Sequence, residues 1–304
     1  MNRMRAVSIG LMTGAAVGLA GPCLHAQTLD VLPFEKKLKL AKAGDEDAQV
    51  AVGKAYEQGG DTGINRVEAA KWYGKAADQG NVEAMFRLAR LVSEGAQGVK
   101  KNLELAAKLY ESAARQGHVE AQNWLGYSYQ HGYGIQQSDA SAIEWYKKAA
   151  DAGLAVAQNN LGLMYLDGKG VARDYDKAFA LFEQAAKQND PWGLNNLGGL
   201  YEMGWGIKQD RQKALGYYKQ AFGKGNKRAG ENMKRLAALL GSTDSPAKAE
   251  TPAPQPEAKP EQPVTAKPAE APKSTEQPGA TAVVPPPPPP EPKKTVKSDS
   301  SGGQ

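Results

Sequence analysis

Cysteine and histidine are scarce in this chain, and their scarcity limits its chemistry. Among 304 residues there are one cysteine, Cys23, and three histidines. A disulfide framework needs an even set of cysteines, and a zinc site needs His or Cys ligands at set spacings, so the sequence predicts neither. It also contains no nucleophile elbow and no Walker loop. We therefore predict no catalytic residue, no cofactor and no metal.

A strong charge of one sign is missing as well. The formal net charge is +5 at pH 7, from 38 basic and 33 acidic residues. The basic residues are scattered, and they do not combine with aromatic residues into a patch that could read bases. The sequence therefore indicates no nucleic-acid partner.

The first 26 residues have the features of a secretory signal peptide. Arg3 and Arg5 supply a positive end, Ala6–Gly21 is a stretch of small and aliphatic residues, and a cleavage site follows Ala26. Cleavage there would remove the lone cysteine and leave a periplasmic or secreted protein with no stable membrane span. The alternative is that this segment is retained as an N-terminal anchor.

Residues 242–304 are rich in proline and contain no aromatic residue. They hold 16 of the 19 prolines, including the uninterrupted run Pro285–Pro290. Such a segment cannot bury enough apolar surface to offset its ordering entropy, so we predict a disordered tail. A run of prolines favours the polyproline II conformation. Three roles stay open for the tail: a spacer near the cell wall, a ligand for a partner, and an inert solubilising segment.

Between these two ends, a helix-ending residue recurs with a period of 36 or 37. Each occurrence follows an alanine-rich stretch, and glycine or asparagine at that point accepts a left-handed backbone. A period in this range indicates stacked structural repeats, and repeat proteins mostly bind macromolecules along an extended surface. The six positions are Gly44, Gly80, Gly117, Gly153, Asn189 and Gly225.

Each repeat shows the pattern of two helices. In the fourth repeat, Ala157, Leu161 and Tyr165 lie four residues apart on one helical face, and Asp174 is placed to cap the second helix. A glycine beside the large residue of the first helix is expected to let neighbouring helices approach closely. It occurs as Gly53, Gly126, Gly162 and Gly198.

The second helix of every repeat carries a pair of large side chains, which we interpret as core because they recur at helical spacing. The pairs are Trp72-Tyr73, Leu109-Tyr110, Trp145-Tyr146, Leu181-Phe182 and Tyr217-Tyr218.

The two ends of the array are predicted to be single helices with polar outer faces, as the caps of a repeat stack require. The predicted organisation is a signal peptide 1–26, a linker and capping helix 27–44, five repeats 45–80, 81–117, 118–153, 154–189 and 190–225, a capping helix 226–241 and the tail 242–304.

The repeat resembles the Sel1-like repeat family. The pattern A-x3-LG-x2-Y-x2-G-x-G-V, followed by D-x2-KA and a pair of aromatic positions, is matched best from Ala157 to Asn189. The resemblance implies an all-α fold, a right-handed superhelical solenoid of antiparallel helix pairs that serves as an adaptor or scaffold for protein complexes. Bacterial members are often exported. A disulfide-stapled branch is linked to β-lactam binding, and this chain lacks those cysteines.

The first helices are expected to line the concave face of the stack, as in related helical repeats. A primary amide both donates and accepts, so a row of asparagines can hold a peptide backbone whatever its side chains. We predict a groove for a peptide or an extended segment of an envelope protein. The alternative is that these asparagines satisfy neighbouring protein groups. The candidate residues are Phe86, Arg90, Asn123, Tyr127, Asn159, Asn160, Leu163, Asn195 and Asn196.

A different class of function also remains open. The chain could be a cell-wall enzyme, or an inhibitor of one, with a site that the motifs do not reveal. A cleft holding two carboxyl groups of raised pKa would favour this alternative.

Overall fold

The computed structural model describes residue 29 and residues 31–59, 62–95 and 98–241, so the predicted signal peptide and the proline-rich tail lie outside the described residues. The described residues form twelve helices and no strand, which confirms the all-α prediction. The helices are α1 (Phe34–Lys42), α2 (Glu46–Gln58), α3 (Arg66–Asp78), α4 (Val82–Glu94), α5 (Leu103–Arg115), α6 (Val119–His131), α7 (Asp139–Asp151), α8 (Ala155–Asp167), α9 (Tyr175–Lys187), α10 (Pro191–Met203), α11 (Arg211–Gly223) and α12 (Lys227–Gly241).

The chain divides between Gln137 and Ser138 into two compact units. The first unit contains α1–α6 and the second contains α7–α12. Within each unit, helices that follow one another in sequence pack against each other. Because the connections are short, neighbouring helices run antiparallel. Each unit is therefore a stack of antiparallel helix pairs, as the repeat predicts.

The helix-ending positions of the period adopt positive φ, which confirms their predicted conformation. Gly153 has a φ of 91°, and Asn189, with a φ of 63°, is the one non-glycine residue with positive φ in the described part of the chain. The Gly153 N–H donates to the Ala150 carbonyl (2.9 Å), and the Leu154 N–H donates to the Ala149 carbonyl (3.0 Å). This pair of bonds satisfies carbonyl groups at the helix end. The other five positions make the equivalent two bonds.

Helix starts are capped by side chains at fixed points of the repeat. The Asp174 carboxylate accepts a hydrogen bond from the Lys177 N–H (2.9 Å), as predicted. The second helices of the other repeats are capped in the same way by Asn65, Asn102, Ser138 and Asp210. First helices are capped by the residue that follows the turn, but at α8 that residue is Leu154, whose side chain makes no cap hydrogen bond.

Glycines on the first helices let the buried rings of the second helices pack closely against them. A Cβ atom on Gly162 would lie 2.6 Å from the Phe182 ring, and one on Gly53 would lie 2.5 Å from the Tyr73 ring. Both values are too short for a real contact, which confirms that these glycines permit the helices to approach. The second large residue of each pair is buried, at 2 % exposure or less, namely Tyr73, Tyr110, Tyr146, Phe182 and Tyr218.

Candidate interaction surface

Four of the predicted groove residues lie in the first unit, on α4 and α6. Phe86 is half-buried, and its ring stacks on the His118 imidazole with centroids 4.4 Å apart. Arg90 keeps 41 % of its side chain exposed and pairs with a glutamate of its own helix. Asn123 and Tyr127 are buried. This part of the predicted surface therefore combines an aromatic stack with one exposed guanidinium.

The other predicted residues lie in the second unit and include a chain of hydrogen-bonded amides. The Asn196 Nδ2 donates to the Asn159 Oδ1 (2.8 Å), and the Asn195 Nδ2 donates to the Asn196 Oδ1 (3.2 Å). The Asn232 Nδ2 in turn donates to the Asn195 Oδ1 (3.0 Å). These four residues, which we call the amide ladder, join the three first helices α8, α10 and α12. Asn232 was not among the predicted residues.

Burial limits how a ligand could meet the ladder. Asn159 and Asn195 are 4 % and 7 % exposed, whereas Asn196 and Asn232 are half-buried. Asn160 and Leu163 are also buried. A primary amide has two N–H donors and two acceptor lone pairs, and the ladder bonds of Asn196 use one of each. Asn196 and Asn232, which are 36 residues apart, are therefore the points at which the ladder comes nearest to solvent.

A buried carboxylate network, which the sequence reading missed, sits beside the ladder in the second unit. Glu202 accepts hydrogen bonds from the Tyr218 hydroxyl (2.7 Å) and from both terminal nitrogens of Arg235 (2.6 and 2.8 Å). Burial alone would raise the pKa of Glu202, but the bonds from Arg235 and Tyr218 outweigh it and lower the pKa. Charge-assisted bonds of this kind hold α12 onto α10.

The first unit contains a matching network. Glu57 accepts from the Tyr73 hydroxyl (2.7 Å) and from Arg87 Nη1 (3.2 Å). In both networks the tyrosine follows its glutamate by 16 residues. Where the buried aromatic residue is Phe182, with no hydroxyl, the position 16 residues earlier is Leu166. This paired change avoids an unpaired buried carboxylate, and an alignment of the repeats with one another could have revealed it.

His118 has a structural role. Its Nδ1 accepts a hydrogen bond from the Ala121 N–H (3.2 Å) and caps α6, so its proton lies on Nε2, 3.2 Å from the Glu83 carboxylate. The hydrogen bond with His118, aided by Arg87 and opposed by burial, lowers the pKa of Glu83 to about 2. No three His, Cys, Asp or Glu side chains form a metal-binding group among the residues that the structure describes.

The loop Gly168-Lys169-Gly170 is a tight turn that packs on the start of α7. Both glycines have positive φ, 70° and 68°. A Cβ atom on Gly170 would lie 2.7 Å from the Asp139 Cβ and 2.9 Å from the Asp139 carbonyl carbon. The glycine therefore meets a conformational and a steric requirement, which supports the interpretation of this loop as a turn.

The second unit also presents partly exposed aromatic rings. One of them, Tyr217, is half-buried although the sequence predicts it as core, and the others had no predicted role. The Tyr175 and Trp205 rings stack with centroids 5.4 Å apart, and the Tyr201 and Tyr217 rings stack at 5.5 Å. Phe179 meets Tyr201 edge to face at 5.9 Å. These five residues, the aromatic strip, come from α9, α10, the following loop and α11. Single residues gave no signal for the strip, because its members meet only when successive helices stack.

The described carboxyl groups whose pKa is shifted do not form a pair of raised acids. The pKa is lowered at Glu83, Asp174 and Glu202. It is raised at Asp190, where burial outweighs the hydrogen bonds from the Gly193 and Trp192 N–H groups. Asp190 is the cap of α10.

Within the described ranges, no helix is long and apolar enough to cross a membrane.

Comparison with known proteins identifies the repeat. A family model described as Sel1 repeat matches five successive segments, residues 46–81, 82–118, 119–154, 155–190 and 193–226. A human protein, wolframin, is 46 % identical over 66 residues, which is 21 % of this chain and 7 % of wolframin. The chain thus spans only a small part of that curated relative's length.

Two solved structures are similar over most of the chain. A Sel1 repeat protein from Oxalobacter formigenes is 31 % identical, with a TM-score of 0.61, over 75 % of this chain and 98 % of that one. A protective antigen of uropathogenic Escherichia coli, described as displaying an SLR fold, is 26 % identical, with a TM-score of 0.53, over 71 % of this chain and 54 % of that one.

Proposed function

Because the chain belongs to the Sel1 repeat family, whose members are generally non-enzymatic protein–protein interaction scaffolds, we propose that it is an adaptor of the bacterial cell envelope. Its ligand is a peptide or extended protein segment that binds along the first helices. The amide ladder is the observation that carries this proposal. Its two half-buried amides, Asn196 and Asn232, lie 36 residues apart on successive first helices, so one continuous segment can contact both.

The chemistry of the ladder suits a peptide backbone. A backbone offers alternating N–H and C=O groups, and an amide side chain pairs with either. The Asn196 amide is half-buried and keeps one donor and one lone pair beyond its bonds to Asn159 and Asn195. The two inner amides hold Asn196 in place. Such pre-organisation lowers the entropy lost when a ligand binds.

Partner capture tests the groove. We expect full-length protein to retain an envelope partner, and we expect Asn159→Ala combined with Asn195→Ala to lose most of it. A matched control is Gln184→Ala combined with Gln220→Ala, since these exposed amides recur 36 residues apart on the second helices α9 and α11. Circular dichroism must show that both variants fold. Equal capture by the two folded variants would refute binding at the ladder.

Envelope location is the second part of the proposal. It rests on Arg3, Arg5 and the stretch Ala6–Gly21, which have the order of charge and hydrophobicity that a signal peptide needs. Cell fractionation with mass spectrometry of the native N-terminus tests it. We expect periplasmic or secreted protein that begins at Gln27 or a close neighbour. Intact protein in the membrane fraction would indicate a retained anchor, and cytoplasmic protein would exclude export.

A further inference from the structure

The aromatic strip is an accessible surface on the second unit. Trp205 is 38 % exposed and the neighbouring Met203 is 52 % exposed. The other four residues of the strip are half-buried, with one side packed against the core of the second unit. An exposed group of stacked rings is the kind of apolar surface that marks an interaction site. None of these rings takes part in the amide ladder.

The strip has the chemistry of a surface that binds proline-rich segments. Such segments adopt polyproline II helices before they bind, and grooves lined by aromatic rings recognise them at a small entropic cost. The strip has two stacked ring pairs, Tyr175 with Trp205 and Tyr201 with Tyr217. Phe179 contacts Tyr201 of the second pair and lies four residues after Tyr175 on α9. The pyrrolidine rings of a proline run could pack across these pairs.

This chain carries such a segment itself. The run Pro285–Pro290 is six prolines long, and 43 residues separate it from Gly241, the last described residue. We propose that the Pro285–Pro290 run of the same chain binds the aromatic strip, which makes the tail an internal ligand of the second unit. The proposal does not depend on the amide ladder or on the envelope location.

The connecting segment is long enough for this contact. A flexible chain of 43 residues has a root-mean-square end-to-end distance of about 36 Å, and a proline-rich one is more extended. A compact unit of about 100 residues has a radius of gyration of about 13 Å. The effective concentration of the run at the strip is then on the order of 1 mM. Even a contact with a Kd of about 100 μM would be about 90 % formed at that concentration.

One residue of this occupant offers a specific ionic contact. Glu291 directly follows the run, ahead of Lys293 and Lys294. The Arg173 guanidinium is exposed and lies 6.0 Å from the centre of the Tyr175 ring, while the Lys213 ammonium lies 5.4 Å from the centre of the Tyr201 ring. Cations therefore border the strip at both stacked pairs. With the prolines on the rings, the Glu291 carboxylate can pair with one of these cations.

Photo-crosslinking in the full-length chain tests the proposal. p-Benzoylphenylalanine replaces Met203 in one variant and Phe222 in a control, because Phe222 is equally exposed at 50 % but lies outside the strip. We expect the Met203 variant to crosslink within one chain to a peptide containing Pro285–Pro290, at a yield that does not depend on protein concentration. The yield should fall to the level of the Phe222 control when all six prolines are replaced by serine.

Three results would overturn the proposal. They are equal crosslinking at Met203 and Phe222, a yield unaffected by the serine replacement, and crosslinks only between different chains. As a second readout, a synthetic peptide of residues 281–294 is added to the serine-replaced chain. The peptide should crosslink at Met203, and its crosslinking yield should not change when an N-acetylglucosamine oligomer is added. Displacement by the oligomer would instead assign the strip to a glycan ligand.

Discussion

Replacing Gly153 with valine tests whether the period of the repeat is set by backbone conformation. Gly153 follows α7 with a φ of 91°, and a Cβ atom built on it would find no atom within 4 Å beyond its two chain neighbours. Any loss of stability on substitution must therefore come from the backbone and not from a clash. Gly153 is thus a cleaner test than Gly162, where a Cβ atom would meet the Phe182 ring.

The expected cost follows from the two ways in which valine could respond. If the left-handed backbone is kept, a residue with a Cβ pays about 1–2 kcal/mol and a β-branched one more. If the backbone relaxes, the two bonds that end α7, from the Gly153 and Leu154 N–H groups, are lost at about 1 kcal/mol each. Both routes give about 2 kcal/mol. For a folded part of this size, that corresponds to a fall in melting temperature of about 4–8 °C.

Two further variants make this prediction specific. Gly153→Asn should lower the melting temperature by about 2 °C or less, because Asn189 occupies the same position of the next repeat with a φ of 63°. Gly216→Ala is the control, since Gly216 lies inside α11 with open space around it and should gain about 0.5–1 kcal/mol from alanine. Thermal unfolding followed by circular dichroism gives all three values. Equal losses for valine and asparagine would refute the reasoning.

Three other predictions concern stability. Leu154→Asp supplies the side-chain cap that α8 lacks, so it should raise the free energy of unfolding by about 1 kcal/mol, as measured by urea unfolding. No gain would mean that the leucine side chain already stabilises the turn. Glu202→Gln removes the charge that Arg235 pairs with, so it should lower the free energy of unfolding by roughly 1–3 kcal/mol in the same assay. An unchanged free energy would show that the network does not stabilise the fold. Because the folded pKa of Glu83 is about 2 against an ordinary 4.5, its contribution is complete above pH 4.5 and is lost as the pH falls towards 2. Glu83→Gln should therefore flatten the acid limb of a stability–pH curve, and an unchanged limb would contradict the assignment.

Much of the fold could be predicted from the sequence because each repeat encodes it locally. Glycine and asparagine at the helix ends, the cap at Asp174 and the buried ring at Phe182 all act within one helix pair. Their physical signals lie within about 30 residues and recur five times. The left-handed backbone at Asn189 could be predicted for the same reason.

The surface chemistry was harder to predict because it depends on which side chains meet between repeats. Spacing placed Asn159 and Asn195 on one stripe, but it did not show that Asn196 bridges them through hydrogen bonds 2.8 and 3.2 Å long. The Arg235 side chain reaches Glu202 across 33 residues. Contacts of this kind depend on the rotamers of long side chains, on which the hydrophobic period carries no information.

Binding of the captured partner segment, measured by titration calorimetry, tests the central claim most directly. The protein with Asn159→Ala and Asn195→Ala is compared with the protein carrying Gln184→Ala and Gln220→Ala, at equal folded fraction. We expect the Kd to rise by about tenfold or more for the ladder variant, because Asn196 loses the two bonds that orient it and with them about one hydrogen bond to the ligand, and to change less than about twofold for the control. Equal Kd values for the two proteins would contradict it.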